Sequence, residues 1–501
     1  MTYYPSQSEF LTLSNTHDAV PVYRRLLCDS LTPVSAFKRI DSGKEACLFE
    51  SVVGGEVVGR YSFLAVEPTK RISAKGNTVV IDDENGSRTI ESANPLDEFR
   101  KQIESVKVAK LDGMPPFTGG AIGYAGYDVV RYVESLPNAP KDDRQISDLS
   151  FAFYDCMLVF DNINKTLTVI SLAWPSRFDG DAKQAQEHAK LKIDRYVDKL
   201  NTPETELVAS DAGIATDELM DFKSNFTRGE FKQAVEKCKQ YIRAGDIFQV
   251  VISQRLQVPI ECDPFEVYRT LRVLNPSPFM FFVRTDETTL VGSSPEIMCR
   301  VVDGKMTVRP LAGTRRRGID NAEDKMLEQQ LLADEKEIAE HVMLVDLGRN
   351  DVGRVTQFGS IELPDLMVVE RYSHVMHISS TVTGDLREDA DAFDALMASL
   401  PAGTVSGAPK VRAMEIIDEI ENRRRGPYAG AVGYFDYSQN MDTCIALRTM
   451  VIVGDTAYVQ AGAGIVADSD PDLEYEETLN KAKGLLKAIE ITHQRLAPEP
   501  Q

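Results

Sequence analysis

Two pairs of glutamates in the sequence are spaced so that each pair shares one face of a helix. Glu337 and Glu340 lie in a segment whose helix begins near Asp334, and Glu474 and Glu477 lie in DPDLEYEETLNKAK. Residues three apart are neighbours on a helix surface. Carboxylates that are buried without a cation are costly, and a hard divalent ion bound through oxygen avoids that cost. The hypothesis is that the fold brings both helices together around one Mg²⁺.

Each pair also has a simpler interpretation as a solvated helix face. Asp470 and Pro471 predict an N-cap and a first-turn proline, where the acidic Glu474 merely suits the helix dipole. Glu477 has the spacing of an ordinary ion pair with the lysine four residues later. This interpretation is weaker for Glu340, because apolar residues surround it on the predicted helix. These residues form two stripes, Met343, Leu344 and Leu347, and Ile338, Val342 and Val345.

Arg448 is a second candidate for a binding group. In CIALRTMVIV it alternates with Ala446 and Met450, which places it on one face of an otherwise apolar predicted strand. A half-buried guanidinium needs an anion. Either a protein carboxylate or a ligand would satisfy it, and the residues alone leave both alternatives open.

A run of small residues lies on the neighbouring predicted strand. Strands over 443–453 and 457–466, with a turn at 453–455, are expected to form an antiparallel hairpin. The second strand is predicted to end in a glycine turn at 462–464, where a ligand could approach the backbone N–H groups closely. If the strands pair, Arg448 and this turn would clamp one carboxylate.

Two glycine-rich segments and one histidine supply further polar groups. PLAGTRRRG contains Thr314 and PAGTVSGAPK contains Thr404. Neither segment has the Gly-Lys-Ser/Thr ending of a phosphate loop, and segments of this kind are usually tight turns. His377 lies in a run of β-type residues, where a histidine is usually packed in a core. It is also the side chain best suited to move a proton near neutral pH.

The composition indicates a globular protein that does not bind polyanions. The 501 residues, 43% of them hydrophobic, allow roughly two to three domains at about 150 residues each. A formal net charge of -21 argues against nucleic acid and anionic membranes, because phosphate binding needs clustered Lys and Arg. Seven scattered cysteines without a C-x-x-C pair indicate a reducing compartment. With no secretory leader and no apolar run near the ~20 residues of a membrane span, the sequence predicts a cytoplasmic protein.

The chain is predicted to divide into two halves. Residues 1–200 form an α+β half with many short strands separated by turn-forming clusters. Residues 201–225 are acidic and poor in aromatics, and they predict a linker or an exposed loop. Residues 226–495 form a second α+β unit, which begins with a capping box made by Thr227 and Glu230.

Several motifs occur in one order along the chain and together resemble a known family. They are GDIFQVVISQR (245–255), GSSPE (292–296), RPLAGTRRRG (309–318), EHVMLVDLGRND (340–351), PAGTVSGAPK (401–410), GAVGYFDY (430–437), IALRT (445–449) and QAGAGIVADSDP (460–471). The combination closely resembles the large, chorismate-binding subunit of anthranilate synthase. GGAIGYAGYDVVRYVE (119–134) extends the resemblance into the first half of the chain.

The resemblance implies a fold and an activity. The fold would be α+β, with large antiparallel sheets forming a sandwich-like core, helices packed outside and the active site in a central cleft. The activity would be that of a Mg²⁺-dependent lyase, which turns chorismate and ammonia into anthranilate and pyruvate through aminodeoxyisochorismate, the first step of tryptophan biosynthesis. By similarity, Glu340 and Glu477 hold the metal, and Glu337 and Glu474 support it through water.

The resemblance also implies roles for other residues. The substrate contacts would be Gly313, Thr314, Tyr428, Arg448, Gly462, Ala463, Gly464 and Lys481. Glu296 would be the acid for the departing hydroxyl, which requires a carboxyl that its surroundings keep protonated. His377 would serve the elimination step, with Thr404 as its hydrogen-bonding partner.

Two positions distinguish this chain from related synthases. Ala312 stands where aminodeoxychorismate synthases often have a nucleophilic lysine, so a covalent route to the para product is not expected. Gln249 stands where water-using isochorismate and salicylate synthases have a lysine base, and a neutral amide suits ammonia. Both choices favour the ortho-amino product. The alternatives are an aminodeoxychorismate or aminodeoxyisochorismate synthase and, from another class, a tryptophan-binding sensor without turnover.

Regulation and a partner subunit are implied in the same way. LFES (48–51) and NPSPFMFF (275–282) resemble the two segments of the family's tryptophan feedback pocket, although Phe49 and Phe279 depart from the commoner Leu and Tyr. The effector residues would be Glu50, Ser51, Pro278, Phe279 and Met280. The simpler alternative is that both segments are packed β structure. Ammonia would come from a separate glutamine amidotransferase subunit, in a heterodimer or heterotetramer.

Overall fold

Two large antiparallel sheets, each of 12 strands, make up most of the computed structural model, which describes residues 2–51, 59–202, 219–372 and 375–497. The strands are β1 (Val20–Leu27), β2 (Ala46–Glu50), β3 (Tyr61–Val66), β4 (Lys70–Lys75), β5 (Thr78–Asp83), β6 (Gly86–Glu91), β7 (Gly120–Ala125), β8 (Leu149–Tyr154), β9 (Cys156–Asp161), β10 (Thr166–Ala173), β11 (Lys223–Ser224), β12 (Gln249–Pro259), β13 (Phe279–Arg284), β14 (Thr289–Ser294), β15 (Ile297–Val302), β16 (Lys305–Val308), β17 (Leu311–Arg316), β18 (Glu362–Arg371), β19 (Val375–Asp385), β20 (Gly407–Ala408), β21 (Ala431–Asp436), β22 (Met441–Ile445), β23 (Thr449–Val453) and β24 (Thr456–Ile465).

Helices pack outside these sheets, so the predicted α+β class is confirmed. The helices are α1 (Gln7–Ser14), α2 (Pro33–Ile40), α3 (Pro95–Glu104), α4 (Ala182–Asn201), α5 (Arg228–Ala244), α6 (Pro264–Leu274), α7 (Asn321–Ala333), α8 (Glu335–Gly353), α9 (Ala392–Ser399), α10 (Lys410–Ile420) and α11 (Pro471–Leu496). Helix α8 packs on β17 and β19, and α11 packs on β24 and α6. Within the described ranges, no helix has the length and apolarity that a membrane crossing requires.

Both halves of the chain contribute strands to both sheets. The first sheet runs β1-β10-β9-β3-β2-β13-β14-β23-β24-β12-β11, with β20 paired to β12. The second runs β17-β19-β16-β15-β22-β21-β7-β8-β4-β5-β6, with β18 paired to β19. The halves meet where β2 pairs with β13 and where β7 pairs with β21. The division at 201–225 stays a prediction, and residues 203–218 of that segment lie outside the described residues.

An apolar layer lies between the two sheets. Phe281 and Leu290 of the first sheet pack in one cluster with Ile122, Tyr124 and Val432 of the second, and all five side chains are almost fully buried. Burial of a large apolar side chain stabilises a protein by about 1.5–3 kcal/mol. This layer therefore holds the sheets face to face and fixes the position of the loops that join them.

Local sequence signals determine where the helices begin. Thr227 and Glu230 form the predicted capping box of α5, since each side chain accepts a hydrogen bond from the other residue's backbone N–H. Asp334 caps α8 and Asp470 caps α11, each by accepting backbone N–H bonds in the first turn. These predictions are confirmed, because a cap depends only on residues within one turn of the chain.

The predicted strand 443–453 is wrong as a single element. β22 ends at Ile445 in the second sheet, and β23 begins at Thr449 in the first. Arg448 lies in the connection between them, with a left-handed φ of 46°. The apolar alternation of the sequence continues through this crossover, and therefore it gives no sign that the backbone changes sheets.

The predicted glycine turn at 462–464 is also wrong, because β24 continues through it. Gly462 and Gly464 are register partners of Ser253 and Val251 on β12. The hairpin that precedes them is confirmed, since Val453 and Thr456 are register partners at the turn between β23 and β24.

Candidate active site

Two chain crossovers between the sheets bring Glu296 and Arg448 together. Glu296 lies between β14 of the first sheet and β15 of the second, and Arg448 lies between β22 and β23. The N–H of Ile445 donates to the carbonyl of Glu296 at 3.0 Å, and the N–H of Ser293 donates to the carbonyl of Arg448 at 3.0 Å. Each crossover therefore holds the other in place, and both side chains start from a rigid backbone.

The carboxyl of Glu296 is buried with one hydroxyl as a side-chain partner. Glu296 is 6% exposed. The hydroxyl of Thr404 donates to its carboxyl group and lies 3.1 Å from Oε1 and 3.2 Å from Oε2. Burial raises the pKa of Glu296 to about 8, although the bond from Thr404 acts in the opposite direction. The carboxyl therefore keeps its proton at neutral pH, which is the state that a general acid requires.

His377 is held on β19 through one ring nitrogen. Its Nδ1 lies 3.0 Å from the carbonyl oxygen of Gly313 and 3.0 Å from the hydroxyl of Thr314. Because a carbonyl only accepts, Nδ1 is assigned the proton, and Nε2 keeps its lone pair. Burial, with a further contribution from Arg448, lowers the pKa of His377 to about 4. The ring is therefore a neutral base across the physiological pH range.

Thr404 does not serve His377 as predicted. Its hydroxyl donates to Glu296, and the partners of His377 are Gly313 and Thr314 on β17. PLAGTRRRG is accordingly a strand and not the tight turn that such segments usually form. The sequence shows that hydroxyl donors are present in both glycine-rich segments, but only the tertiary structure shows which donor meets which acceptor.

The guanidinium of Arg448 has no partner anion among the residues that the structure describes. Among the described residues, no carboxylate lies within salt-bridge distance of its guanidinium, so this part of the chain gives no support to the alternative of an internal ion pair. Burial lowers its pKa, and the nearby Tyr372 partly offsets this effect. A buried cation without a partner is costly. The arrangement therefore favours a ligand anion at this position.

The side chains of Tyr428 and Lys481 both reach Gly462 on β24. A Cβ atom at Gly462 would lie 2.9 Å from the Tyr428 hydroxyl and 2.8 Å from the Ile252 carbonyl oxygen, so only glycine fits. Lys481 donates to the carbonyl of Gly462 at 3.0 Å. Burial raises the pKa of Tyr428 to about 12, so its hydroxyl remains a donor. A ligand here meets backbone, a phenol and an ammonium group.

Gln249, at the start of β12, connects this strand to Glu340 of helix α8. Its Nε2 donates to Glu340 Oε1 at 3.1 Å, and a Cβ atom at Gly464 would lie 2.6 Å from the same nitrogen. The Oε1 atom of Gln249 is buried and has no hydrogen-bond partner among the described residues. It is a free acceptor at the place where β12, β24 and α8 come together. Ala463, between the two glycines, is fully buried and contributes only its backbone.

The remaining glutamates come near this region without forming a ready metal site. Burial raises the pKa of Glu337 and of Glu474, and the neighbouring Glu340 and Glu477 add to the effect. Glu337 Oε2 would lie 3.3 Å from a Cβ atom at Gly313. In the described part of the chain, no group of three or more His, Cys, Asp or Glu side chains is close enough to hold a metal. Their hard oxygen donors suit Mg²⁺, but the carboxylates would have to gather.

The predicted ion pair of Glu477 with the lysine four residues later is confirmed. Its carboxylate pairs with Lys481 at 2.7 Å, and 46% of its side chain is exposed. Glu340 and Glu337 are half-buried. The two pairs are near enough for their helices to interact electrostatically, because the charge of Lys336 on α8 partly offsets the raised pKa of Glu474 on α11.

The two effector segments lie side by side in the first sheet. Met280 of β13 is the register partner of Glu50 on β2. The Glu50 carboxylate accepts from the Tyr268 hydroxyl at 2.7 Å and from Arg272 at 2.9 Å. The hydroxyl of Ser51 is buried without a hydrogen-bond partner among the described residues, and Pro278 and Phe279 are half-buried. A free polar group thus adjoins the paired strands.

Two residues near the site were not singled out in the sequence. Tyr372 presents its ring edge-on to His377, with centroids 5.6 Å apart, and donates to Glu370 at 2.8 Å. Arg425 is buried with Glu421 behind the site. No local signal in the sequence identifies either residue. Arg425 in particular lies in RRR at 423–425, which has the composition of a solvated basic run.

Comparison with known proteins decides the family. The family model described as "chorismate binding enzyme" matches residues 45–487. The chain belongs to the chorismate-binding enzyme family. The predictions of that family and of an enzyme are thereby confirmed.

Individual relatives agree with this assignment. The anthranilate synthase component 1 of Acetivibrio thermocellus is 45% identical in a 497-residue alignment that covers 97% of this chain and 99% of that protein. That of Acinetobacter calcoaceticus is 46% identical, over 95% of this chain and 96% of that protein. The crystal structure of component I from Streptococcus pneumoniae has a TM-score of 0.76 and 38% identity, with 92% of this chain and 99% of that chain covered.

A solved structure of low sequence identity shares the fold. The menaquinone-specific isochorismate synthase of Escherichia coli has a TM-score of 0.69 at 19% identity, with 96% of this chain and 98% of that chain covered.

Proposed function

We propose that this protein is the large subunit of an anthranilate synthase, which converts chorismate and ammonia into anthranilate and pyruvate with Mg²⁺. One observation carries the proposal. Glu296, whose carboxyl keeps its proton, and Arg448, whose guanidinium has no carboxylate partner among the described residues, lie at neighbouring crossovers between the two sheets, and the neutral His377 lies near Arg448. A substrate with two carboxylates and a hydroxyl leaving group needs these three functions.

The cationic and backbone groups would hold the substrate. Chorismate has one carboxylate on its ring and one on its enolpyruvyl group. The enolpyruvyl carboxylate would bind Arg448, Tyr428 and the backbone of β24 at Gly462, with Lys481 beside them. Burial strengthens such charge-assisted bonds, because little water competes with them. Gly313 and Thr314 would contact the substrate from β17.

Two groups would move protons at the reacting atoms. In the first stage ammonia adds at ring C2 while the C4 hydroxyl departs, and Glu296 would give that hydroxyl its proton. In the second stage pyruvate is eliminated as the ring becomes aromatic, and Nε2 of His377 would take the proton from C2. Gly313 and Thr314 fix the ring of His377 in the orientation that leaves Nε2 free.

The four glutamates would hold Mg²⁺, with Glu340 and Glu477 as ligands and Glu337 and Glu474 supporting them. When bound, the ion withdraws electron density from the ring through its carboxylate. Lys481 would have to release Glu477 for this purpose. Burial and the neighbouring carboxylates raise the pKa of Glu337 and of Glu474, and a divalent ion bound beside them would favour their ionised forms.

Gln249 supports ammonia as the nucleophile. Its free Oε1 accepts a hydrogen bond from an N–H, and its Nε2 is occupied by Glu340. An amide cannot deprotonate water, whereas ammonia attacks without prior deprotonation. Ala312 on β17 provides no nucleophile for a covalent route to the para product.

Tryptophan inhibition and an amidotransferase partner belong to the same proposal. The pairing of β2 with β13 and the Ser51 hydroxyl, which has no hydrogen-bond partner among the described residues, support an effector pocket at the two segments. The relatives named component 1 support a second component, which we infer to be a glutamine amidotransferase that supplies ammonia. The acidic composition and the scattered cysteines support a cytoplasmic location.

The decisive experiment identifies the products from chorismate, MgCl₂ and an ammonium salt. Anthranilate and pyruvate in equal amounts are expected, and Glu296→Gln should abolish both. An aminated cyclohexadiene that retains its enolpyruvyl group would show a synthase that stops at aminodeoxyisochorismate or makes the para isomer. Tryptophan binding without any turnover would show the sensor instead.

A further inference from the structure

Arg425 is a fully buried arginine whose guanidinium contacts several segments of the candidate site. Its Nε and Nη2 bind the carboxylate of Glu421 at 3.0 Å and 2.7 Å. Its Nη1 donates to the carbonyl of Val405 at 2.7 Å, and Nη2 donates to the carbonyl of Val251 at 2.7 Å. Its Cζ lies 5.6 Å from the ring centroid of Tyr428. One planar group thus reaches three stretches of chain.

Each of these stretches carries a candidate site residue. Val251 follows Gln249 by two residues on β12, and Val405 follows Thr404 directly. Tyr428 is itself a predicted substrate contact. One guanidinium therefore contacts the chain at or beside three residues. These residues would orient ammonia, support the acid Glu296 and bind the substrate.

We propose that Arg425, with Glu421, is the positioning residue that sets the mutual geometry of Gln249, Thr404 and Tyr428 for the reaction. Arg425 is 2% exposed, and it contacts the ring of Tyr428 and the backbone close to the other two residues. It touches none of the reacting groups Glu296 and His377 in any hydrogen bond, and it is therefore a positioning residue and not a catalytic one. The inference rests on the proposed function, because it assigns the roles of the positioned residues from it.

Glu421 extends the same network to the strand that would bind the substrate. Its Oε1 accepts from the backbone N–H and the hydroxyl of Ser253 at 2.8 Å and 2.7 Å. The hydroxyl of Ser253 accepts from Gln460 Nε2 at 2.8 Å, and Gln460 lies on β24 two residues before Gly462. The pair therefore ties β12 to β24 as well as to the Thr404 loop.

The chemistry of this pair favours a geometric role over a role in stability. Two buried ions lose their hydration, and an apolar pair of the same volume is often equally stable or more stable. A guanidinium donates in several fixed directions within one plane, which a lysine ammonium cannot reproduce. Arginine at this position therefore fixes the directions of its bonds to the carboxylate of Glu421 and the carbonyls of Val405 and Val251. This geometric role offsets the free-energy cost of burying the pair.

The test compares Arg425→Lys with Arg131→Lys. Arg131 binds Asp418 by a similar fork, at 2.7 Å on each side, but it contacts none of the three site segments. We expect Arg425→Lys to lower the kcat for anthranilate formation by about 100-fold, because small misplacements of reacting groups have effects of this size. The KM for chorismate should rise, and the alkaline limb of the rate should move to higher pH, since Glu296 loses its bond from Thr404. Arg131→Lys should leave kcat and the pH limb unchanged.

A readout that needs no turnover separates this inference from the proposed function. In a crystal structure of Arg425→Lys, the Thr404 hydroxyl should have left Glu296, whether or not the enzyme forms anthranilate. If the wild type makes no anthranilate, the proposed function fails, and that structure still decides the inference. If Arg425→Lys does not fold, Glu421→Gln should show the same changes to a smaller extent. An Arg425→Lys variant whose geometry, kcat and pH limb match those of Arg131→Lys overturns the inference.

Discussion

The hydroxyl of Thr404 donates to both oxygens of Glu296, at 3.1 Å and 3.2 Å, across a separation of 108 residues in the chain. This bond favours the carboxylate, whereas burial favours the neutral acid, and burial dominates because the pKa of Glu296 is raised to about 8. The pair therefore determines the pH range over which Glu296 can donate a proton.

Thr404→Val should move the alkaline limb of activity to higher pH. In the wild type the rate is expected to fall above about pH 8, as Glu296 loses its proton. Without the Thr404 hydroxyl, the pKa of Glu296 rises further, so the limb shifts upwards although the rate itself is lower. Measurement of kcat/KM for chorismate from pH 6 to 10 tests this. Thr356→Val, which removes a buried hydroxyl elsewhere, is the control, and equal limbs in both variants would refute the assignment.

Glu296 should also make the stability of the protein depend on pH. Its folded-state pKa of about 8 exceeds the ordinary value of 4.5, so the folded state binds more protons between these values. Stability contributed by this group is therefore lost as pH rises from 4.5 to 8. Urea unfolding at several pH values should give a flatter profile for Glu296→Gln than for the wild type. A profile that keeps its slope would contradict the buried, protonated state.

His377→Gln should separate the two stages of the reaction. Loss of a general base typically lowers a rate by about 10²–10⁴-fold. Pyruvate release should slow to this extent, and an aminated intermediate that keeps its enolpyruvyl group should accumulate and be detected by mass spectrometry. His188→Gln, which changes an exposed histidine, is the control. Equal losses of chorismate consumption and pyruvate release, with no intermediate, would exclude His377 from the second stage.

The low pKa of His377 leads to an independent expectation for acidic solutions. Its folded-state pKa of about 4 lies below the ordinary value of 6.5, so its stabilising contribution is complete above pH 6.5 and lost as pH falls towards 4. NMR titration of the ring should show no protonation at pH 6. A midpoint near 6.5 would mean that the ring is solvated and not held as the structure shows.

Arg448→Met should stabilise the protein while it weakens substrate binding. Among the described residues the guanidinium has no carboxylate partner, and leaving a buried polar group unsatisfied costs about 1 kcal/mol or more. The melting temperature should therefore rise. Chorismate binding should weaken by about 30-fold or more, equivalent to about 2 kcal/mol. Calorimetric titration measures chorismate binding, and thermal unfolding measures the melting temperature. The control is Arg300→Met, which breaks the pair with Asp442 and should neither raise the melting temperature nor weaken chorismate binding. A lower melting temperature would show that Arg448 has a stabilising partner.

Binding of Mg²⁺ should release protons in acidic solution. Burial and neighbouring carboxylates raise the pKa of Glu337 and Glu474, so a larger share of these carboxyls is protonated in acidic solution than of ordinary glutamates. The protonated share must ionise when a cation binds near them. Calorimetric titration with MgCl₂ in two buffers of different ionisation enthalpy detects the protons. At 100 times the Kd, the ion should stabilise the fold by about 2.7 kcal/mol.

Variants on the two helices identify the ligands. Glu340→Gln and Glu477→Gln should lose the Mg²⁺-dependent stabilisation, whereas Glu476→Gln, whose side chain pairs with Arg228, should retain it. Equal stabilisation of all three variants would place the ion elsewhere. This readout does not depend on catalysis.

Tyr268→Phe should weaken inhibition by tryptophan without changing the uninhibited rate. The Tyr268 hydroxyl orients Glu50, which is a predicted effector contact. Loss of one hydrogen bond of this kind costs about 1 kcal/mol, so the inhibition constant should rise roughly five-fold. Tyr196→Phe is the control, because its hydroxyl binds Glu67 outside the two segments. An unchanged inhibition constant would remove Glu50 from the effector pocket.

The sequence by itself determined the helix caps, the family and the types of the site residues. Asp334, Asp470 and the pair of Thr227 and Glu230 act within one turn of their own helices, so adjacent letters of the sequence contain all the information that they need. Motif order identified the family for a similar reason, since it requires no knowledge of contacts.

Only the tertiary structure decided how these residues meet. An alternating pattern is the same whether a strand stays in one sheet or crosses to another, so the crossover at Arg448 was hidden. The partner of Thr404 lies on a distant strand, and the choice between Glu296 and His377 depends on how the sheets pack. Arg425 has the local surroundings of a solvated basic residue and became a buried fork because Glu421, Val251 and Val405 converge on it in space.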